Sequence, residues 1–478
     1  MNQIQIQVHL HLIHRSLRLN DNTSLITQLK EIAPNVIPIF IFTPEQINNN
    51  EYFSNGSVQF MIESLHELSN EIKKKKGKLY FYYGDNMKVL NSIKNNMSIE
   101  SISFNKEYTP YGKQRNDEIE NWCTENNIVC INKEDYSLFN LTDKESHKID
   151  GTPYLVYTPF MRNAMEKLKV RQVDKFKSFK FKIVKKLEEI KYYINEIEID
   201  KFYKLNPDIN VHGGRKAALT ILNNIDKFKD YSKCRDYFNY NTTHLGAYIK
   251  FNTLSIREVY HKIVKKLGKT SNLIRQLLWR EFYLTIYYNF PRMLQGQIKG
   301  QNKSFKEKYD NIKWSHNKKH IDAFLEGKTG FPIVDACVRD INKRNFMHNR
   351  GRMIVASFLA KDLHLDFKWI EKWFATRLVD YDPISNSGGV QWCVGNGTDA
   401  QPWFRIFNPW TQQLKFDQNC EFIYSQIPEL KKVNPKDIHN WFKPDVRSKY
   451  TNINYSDPIV NHDEERLNTI EKYKEALK

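Results

Sequence analysis

The stretch NVIPIFIF, residues 35–42, decides the fold of the first third of this chain. Its residues are almost all apolar, a pattern typical of a strand buried on both faces of a parallel sheet. Similar runs lie at residues 6–13, 78–83, 98–104 and 127–131. Helical patterns alternate with them, near residues 22–31, 58–75, 87–94 and 113–126. This alternation predicts an α/β doubly wound parallel-sheet domain over residues 1–134.

The second half of the chain carries helical patterns instead. Apolar residues recur at spacings of three and four in residues 220–228, 255–267, 272–290, 332–341, 352–363 and 367–378. These patterns predict a large all-α domain over residues 211–478. The looser, basic stretch over residues 135–210, including KFKSFKFKIVKK, is interpreted as a connecting segment. Eight of the nine tryptophans lie after residue 278, so the aromatic chemistry is concentrated in the helical domain.

The net charge of +18, from 73 Lys and Arg against 55 Asp and Glu, favours polyanions as partners. Charge alone does not distinguish nucleic-acid binding from a solvated surface, because lysine runs are usually solvated helix faces. The hydrophobic content of 40% is typical of a soluble globular protein.

Features of targeting and redox chemistry point to an intracellular protein, cytoplasmic or nuclear. No apolar run is long enough to cross a bilayer, so no membrane association is expected. The N-terminal residues lack the basic and apolar regions of a signal peptide. The six cysteines are scattered without a C-x-x-C pair, which predicts reduced thiols and no zinc site.

The stretch LVDYDPISNSGGVQW, residues 378–392, carries the strongest chemical signal. Asp380 and Asp382 fit three hypotheses: a metal site, an acid/base pair, or the polar edge of a cofactor pocket. A hard cation usually takes more oxygen ligands than two acids offer, so no metal is predicted. The cofactor edge is favoured, because Asn386 can both donate and accept and the glycines at 388–389 let backbone approach a ring. Arg352 is a candidate partner for Asp380.

Two other segments offer candidate binding groups. In residues 240–255, the hydroxyls of Thr242 and Thr243 at the start of a helical stretch suit a diphosphate, although this segment alone favours plain helix capping. In residues 272–290, Gln276, Trp279, Arg280 and Tyr283 share one helix face and could bind a flat polar ligand. The alternative for that face is a core tryptophan with structural hydrogen bonds.

Taken together and in this order, these segments resemble the DNA photolyase and cryptochrome flavoproteins, over nearly the whole chain. The segments that carry the resemblance are HRSLRLNDN (14–22), FNKEYTPYGKQR (104–115), WREFY (279–283), FMHNRGRMIVASFLAKDL (346–363), LVDYDPISNSGGVQW and TDAQPWFRIFNP (398–409). The motifs are closest to those of class I cyclobutane pyrimidine dimer photolyases. The resemblance implies an α/β antenna domain and a helical domain that holds FAD.

The resemblance also implies roles for individual residues. Residues assigned to FAD are Tyr231, Thr242, Thr243, Leu245, Gly246, Arg352, Asp380, Asp382 and Asn386. Residues assigned to the lesion pocket are Gln276, Trp279, Asn349, Met353 and Trp392. Residues assigned to the phosphates of UV-damaged DNA are Arg235, Arg350 and Arg405.

The chain departs from the family pattern at several of these places. Gln276 stands where dimer photolyases usually have Glu, and it can donate a hydrogen bond but cannot transfer a proton. Of the tryptophan chain that re-reduces flavin, only the outermost member, Trp314, is present. Phe367 and Val390 occupy the other two positions. Thr109 replaces the Glu of folate-binding members, so a second antenna chromophore stays open between a folate, a deazaflavin and none.

These residues favour an enzyme: a monomeric, light-dependent photolyase that splits cyclobutane pyrimidine dimers by electron transfer from excited reduced FAD. Asn349 and Met353 match that branch, whereas the branch that repairs (6-4) photoproducts carries histidines there. The alternatives are a cryptochrome-type blue-light sensor without repair, and a (6-4) or single-strand-specific photolyase.

Overall fold

A computed structural model describes residues 6–48, 50–143, 146–167, 169–297 and 302–478. The N-terminal part is a six-stranded sheet, with the strands Gln7–Leu12 (β1), Ile37–Phe42 (β2), Tyr80–Tyr83 (β3), Ser98–Asn105 (β4), Val129–Lys133 (β5) and Tyr193–Ile194 (β6). The strand order is β5-β4-β1-β2-β3-β6. The first five strands are parallel, and β6 pairs antiparallel with β3.

The helices of this part are Thr23–Glu31 (α1), Pro44–Ile47 (α2), Asn55–Lys74 (α3), Asn86–Asn96 (α4) and Pro110–Glu125 (α5). All six residues of β2 are buried, as expected for a parallel strand covered on both faces. Polar caps set the helix starts: Asn22 accepts from the backbone N–H of Leu25, and Asp85 accepts from that of Lys88. The predicted doubly wound parallel sheet is confirmed.

The connecting segment is packed rather than loose. It contains helix Tyr157–Lys167 (α6), and its later residues supply β6. The basic stretch KFKSFKFKIVKK has an apolar side that the sequence interpretation missed. Phe179 is 8% exposed, and Phe181 bridges to Val36 beside β2. The predicted boundaries at 134/135 and 210/211 stay a prediction.

The helical part contains the predicted helices and several short ones. They are Arg215–Asn223 (α7), Tyr231–Cys234 (α8), Gly246–Lys250 (α9), Ile256–Leu267 (α10), Asn272–Asn289 (α11), Lys318–Leu325 (α12), Pro332–Arg344 (α13), Asn349–Lys361 (α14), Phe367–Ala375 (α15), Pro383–Val394 (α16), Pro409–Phe416 (α17), Glu421–Gln426 (α18), Pro435–Ile438 (α19), Pro444–Arg447 (α20) and His462–Leu477 (α21). Short 3-10 helices lie at Lys185–Glu189, Glu196–Phe202, Ile225–Phe228, Pro291–Gln297, Glu307–Asn311, Pro428–Lys432 and Ser448–Tyr450.

The hydrophobic core joins the two parts of the chain. One cluster, the first core, combines Phe60 of α3 and Phe160 of α6 with Phe282 of α11. A second core is formed mainly by the later helices, including α13 to α16. The packing therefore fixes α11 and α16, which carry most of the candidate site, against the sheet domain.

A buried ion network adds to this joint. The Asp135 carboxylate accepts from Arg18 at 2.7 Å and from Arg257 at 2.8 Å. Arg257 also pairs with Asp21 at 2.7 Å, and each of these side chains is at most 2% exposed. Burial alone would raise the pKa of Asp135, but the two guanidinium groups outweigh it and hold the pKa well below its usual range.

Candidate active site

The N-terminus of α14 brings together several predicted site residues. His348 caps the helix, and its Nδ1 accepts from the backbone N–H of Arg350 at 3.2 Å. Burial lowers the pKa of His348 to about 4, which keeps the ring neutral and able to accept. Met353 follows Asn349 by one turn of α14, and the side-chain amide of Asn349 lies 3.7 Å from the Met353 sulfur. Asn349 is exposed and Met353 half-buried, so this pair faces accessible space.

The predicted partnership of Arg352 with Asp380 is confirmed. Nη2 of Arg352 donates to both carboxylate oxygens of Asp380, at 2.9 and 3.0 Å, and Nε donates to the carbonyl of Met347 at 2.8 Å. The start of α9 lies against the same carboxylate. A Cβ on Gly246 would sit 2.8 Å from Oδ2 of Asp380, so glycine permits this close approach.

Asp382 has a different role from the predicted one. Its Oδ1 caps α16 by accepting from the backbone N–H of Ser385 at 3.0 Å. Its Oδ2 accepts from Arg15 at 3.0 Å and from the Tyr136 hydroxyl at 2.7 Å. Burial opposes ionisation of Asp382, but Arg15 outweighs it and holds the pKa well below its usual range. Oδ1 therefore caps its own helix and Oδ2 serves the joint with the sheet domain, so the contacts of Asp382 do not support its predicted assignment to FAD.

The rest of α16 offers an amide and an open backbone surface. The Asn386 amide donates to the carbonyl of Glu371 at 3.1 Å, which fixes its orientation. A Cβ on Gly388 would lie 2.6 Å from the ring of Tyr283, so Tyr283 and not a ligand occupies the space beside this glycine. At Gly389 a Cβ would meet nothing within 4 Å. Of these two glycines, only Gly389 therefore leaves space for a ligand.

The predicted helical stretch over residues 240–255 is interrupted. Residues 241–245 precede the short helix α9, and α10 starts anew after Ser255. Thr243 accepts from the backbone N–H of Leu245 at 3.4 Å, so one of the two hydroxyls has a local capping role. Thr242 and Tyr231 are half-buried, and Leu245 is buried at 3% exposure.

The face of α11 is divided between two environments. Trp279 is half-buried and stacks on Tyr157 of α6, with ring centroids 3.7 Å apart and planes 8° from parallel. Gln276, one turn before it, is also half-buried, as is Trp392 on the neighbouring helix α16. This half of the face stays available to a ligand.

Arg280 does not share that environment. Its Nη1 donates to Glu281 at 2.7 Å and its Nη2 to the carbonyl of Tyr136 at 3.0 Å. The guanidinium also lies 3.8 Å from the centroid of the Tyr136 ring. The hypothesis that Arg280 binds a flat ligand beside Trp279 is therefore wrong, because Arg280 belongs to the joint with the sheet domain.

The three predicted phosphate contacts differ in exposure. Arg405 is exposed and Arg235 half-buried. Arg350 is ion-paired with Asp236 at 2.8 Å and lies 4.4 Å from the centroid of the Phe416 ring. Only 14% of the Arg350 side chain is exposed, and this geometry does not support a phosphate contact.

The three positions that the resemblance assigns to the tryptophan chain lie in or against the second core. Phe367 and Val390 are buried in the second core, at 1% and 3% exposure. Trp314 is half-buried and approaches the ring of Tyr473 edge-on, with centroids 6.4 Å apart.

Comparison with known proteins identifies the family of this chain. The model for the DNA photolyase domain matches residues 9–179, and the model for the FAD binding domain of DNA photolyase matches residues 273–475. The deoxyribodipyrimidine photo-lyase of Buchnera aphidicola (subspecies Acyrthosiphon pisum) is 32% identical, over 98% of this chain and 98% of the relative. The chain belongs to the DNA photolyase family. Its Escherichia coli relative of the same name is 30% identical over 98% of this chain and 99% of the relative.

Solved structures of the family agree with the fold. An archaeal photolyase from Sulfolobus tokodaii, described with two FAD molecules, matches 98% of this chain and 100% of that one, with 34% identity and a TM-score of 0.85. A bacterial class III photolyase from Agrobacterium tumefaciens matches 100% and 99%, with 27% identity and a TM-score of 0.88. Family membership confirms the predicted enzyme type, photolyase-type DNA repair, and FAD as the cofactor.

The residues present in this photolyase-family chain fit FAD. The backbone at Gly389 faces open space, where a Cβ would meet nothing within 4 Å, and it lies one turn beyond the Asn386 amide on α16. The Arg352–Asp380 pair supplies both a donor and an acceptor at fixed positions. Thr242 and Gly246 keep accessible polar groups at the start of α9, where a diphosphate would meet backbone N–H groups.

Several site residues could not be found by sequence reasoning. Tyr157, Tyr136 and Glu371 carry no local motif, and each acts on residues far away in the chain. Across the described ranges, no helix is long and apolar enough to cross a membrane. Over the same ranges, no group of three or more His, Cys, Asp or Glu side chains could hold a metal ion.

Proposed function

We propose that this chain uses light to split cyclobutane pyrimidine dimers in DNA. The observation that carries the proposal is the pair Asn349 and Met353 at the start of α14. An exposed amide and a half-buried thioether lie side by side, one residue from the Arg352–Asp380 pair. A hydrogen-bond donor and a soft apolar surface beside the proposed flavin site would suit a pyrimidine dimer, which supports the proposal.

The lesion would enter as two bases flipped out of the duplex. Trp279 and Trp392 would form the aromatic walls, and Gln276 would donate to a base carbonyl. When bound, reduced FAD would supply the light-excited electron that splits the two carbon–carbon bonds of the dimer and would take it back afterwards. Arg352, Asp380 and Asn386 would orient the cofactor. The half-buried Trp walls would exclude water from the bases.

A second chromophore would occupy a cavity of about 450 Å³ between the two domains. The cavity lies beside the carboxyl ends of β1, β2 and β4 and includes His14, Arg15, Thr109, Arg115 and Lys250. His14 Nδ1 and Arg115 Nε are buried without a hydrogen-bond partner. Arg115 Nη2 lies 3.0 Å from Glu107, but it makes no well-directed hydrogen bond. Buried nitrogen atoms without hydrogen-bond partners, beside a broad cavity, support a flat polar ring such as a deazaflavin or flavin.

The pigment can be identified after heat release from purified protein, by chromatography and mass spectrometry. A deazaflavin or a second flavin equivalent would support this assignment. A bound folate would contradict it, and so would a single FAD with no second pigment after reconstitution with deazaflavin or flavin.

The leading alternative is a blue-light sensor of the cryptochrome type. Gln276 in place of Glu favours it, since the side chain cannot deliver a proton to the lesion. A repair assay separates the two functions. Chemically reduced protein is illuminated with dimer-containing oligothymidine, and the return of thymine absorbance is followed against a dark control. Chemical reduction makes the result independent of Phe367 and Val390.

Substitutions of Asn349 and Met353 test whether these residues form the lesion pocket. Asn349→Ala and Met353→His should lower repair at least tenfold while FAD stays bound. Asn70→Ala, an exposed position on α3, is the matched control and should repair like the unmodified protein. If neither substitution changes the light-dependent return of thymine absorbance, the lesion binds elsewhere on the protein. No recovery at all, with FAD present and reduced, would favour the sensor, and a (6-4) photoproduct would be tested next.

A further inference from the structure

The stacked pair of Tyr157 and Trp279 links the connecting segment to the lesion pocket. The rings are nearly parallel, at 8°, with centroids 3.7 Å apart. Phe282 meets both rings edge-on, at 5.7 Å from Trp279 and 5.9 Å from Tyr157. Tyr157 is 7% exposed, whereas Trp279 is half-buried. Tyrosine is therefore the inner ring of the pair and tryptophan the outer one.

Tyr157 is held in place from several directions. Its hydroxyl donates to the carbonyl of Arg275 at 2.7 Å, on the helix that carries Trp279. Its backbone N–H donates to the Asp399 carboxylate at 3.0 Å. The neighbouring Thr398 hydroxyl donates to the carbonyl of Leu155 at 2.9 Å. The start of α6 is thus fastened both to α11 and to the loop after α16.

Three rings surround the indole of Trp279. Tyr157 covers one face, Phe282 meets one edge, and Tyr283 lies tilted against it with centroids 5.7 Å apart, so the remaining exposure lies away from Tyr157. An indole that is held before a ligand arrives loses less side-chain freedom on binding. Loss of the stacked partner should therefore change affinity by roughly two- to tenfold.

We infer that Tyr157 is a positioning residue of the lesion pocket, which presents the outer face of Trp279 to a flipped pyrimidine. The inference rests on the proposed function, because it takes Trp279 to be a wall of that pocket. It also assigns α6, from the segment interpreted as a connection, to the substrate site. Tyr157 itself touches neither the lesion nor FAD in this arrangement.

The test measures binding in the dark, so it does not depend on repair. The dissociation constants for a dimer-containing duplex and its undamaged counterpart are compared by fluorescence anisotropy. Tyr157→Leu should lower this discrimination at least threefold in protein that folds and keeps its FAD content. Tyr157→Phe keeps the ring and should restore most of the discrimination. Tyr154→Leu removes a half-buried ring three residues earlier and serves as the matched control.

Repair at saturating substrate gives a second readout. Because Tyr157 acts on binding, Tyr157→Leu should change the yield per absorbed photon by less than twofold once DNA is saturating. If Tyr157→Leu does not fold, Asp399→Asn tests the inference instead. It removes the charge of the group that accepts from the Tyr157 backbone N–H, so it should also lower the discrimination between damaged and undamaged DNA.

The outcomes separate this inference from the proposed function. If Trp279→Ala loses dimer discrimination while Tyr157→Leu keeps it, the lesion pocket stands and the role of Tyr157 is refuted. If Trp279→Ala keeps it as well, the lesion pocket and the role of Tyr157 both fail. Unchanged discrimination in Asp399→Asn, where that variant must decide, also refutes the role of Tyr157.

Discussion

At the scale of single residues, the Arg352–Asp380 pair is the contact on which the proposed cofactor site most depends. The Asp380 side chain is 15% exposed and accepts from Nη2 of Arg352 through both of its oxygens. Arg352→Ala leaves that carboxylate without its charged donor. We expect the FAD content to fall severalfold and the unfolding free energy to fall by about 1–3 kcal/mol.

The ratio of flavin to protein absorbance and a urea titration measure these two effects. Arg466→Ala, an exposed position on α21, is the matched control and should change neither. Full flavin content in Arg352→Ala would show that the pair is structural and that FAD is oriented by other groups.

The pairing of Arg352 with Asp380 was predicted from sequence, and the resemblance assigned Asn349 and Met353, four residues apart on one helix, to the same pocket. The role of Asp382 was not predicted. Its donors, Arg15 and Tyr136, are 367 and 246 residues away in sequence. No local pattern distinguishes a carboxylate that faces a cofactor from one that faces another domain.

At the scale of elements, Asp382 joins the start of α16 to the sheet domain. Asp382→Asn keeps the size of the side chain but removes the charge opposite Arg15. Because the pair is buried, at 15% and 9% side-chain exposure, we expect a loss of roughly 2–4 kcal/mol in unfolding free energy. Urea unfolding followed by circular dichroism measures the loss, with the exposed Asp117→Asn as control. A loss below 0.5 kcal/mol would contradict this role.

The contact between α15 and α16 contains a buried carboxyl group that should titrate near neutral pH. Glu371 is 2% exposed and accepts from Asn302 at 2.6 Å and from Ser387 at 2.5 Å. Burial raises the pKa of Glu371 from 4.5 to about 7. Between these pH values the folded protein keeps a proton that the unfolded chain has released. Its contribution to stability is therefore complete below pH 4.5 and is lost as pH rises to about 7.

Glu371→Gln removes this titration. The difference in unfolding free energy between Glu371→Gln and the unmodified protein should shift in favour of the variant by roughly 3 kcal/mol from pH 4.5 to pH 7. Urea titrations at several pH values measure it, and the exposed Glu471→Gln is the control. A difference that does not vary with pH would show that Glu371 has an ordinary pKa.

At the scale of the whole molecule, the sequence predicted the architecture but not the way its parts join. Each strand and long helix has a local period, so NVIPIFIF and its neighbours sufficed for the sheet. The joint depends on Asp135, whose partners Arg18 and Arg257 are 117 and 122 residues away. The connecting segment was interpreted as loose for the same reason, since its phenylalanines pack against residues that no local pattern identifies.

The net charge of +18 matters for function only where cations are free to meet phosphates. Arg405 is exposed, whereas the charge of Arg350 is balanced by Asp236 at 2.8 Å. Each phosphate contact contributes about 0.9 to the slope of log affinity against log salt concentration. Arg405→Ala should therefore lower that slope by about 0.9, measured by anisotropy on undamaged duplex across a salt series.

The double variant Arg350→Ala with Asp236→Ala removes both charges of the ion pair and should leave the slope unchanged. If the double variant lowers the slope as much as Arg405→Ala does, Arg350 leaves Asp236 to bind phosphate, and the sequence-based assignment of Arg350 is restored.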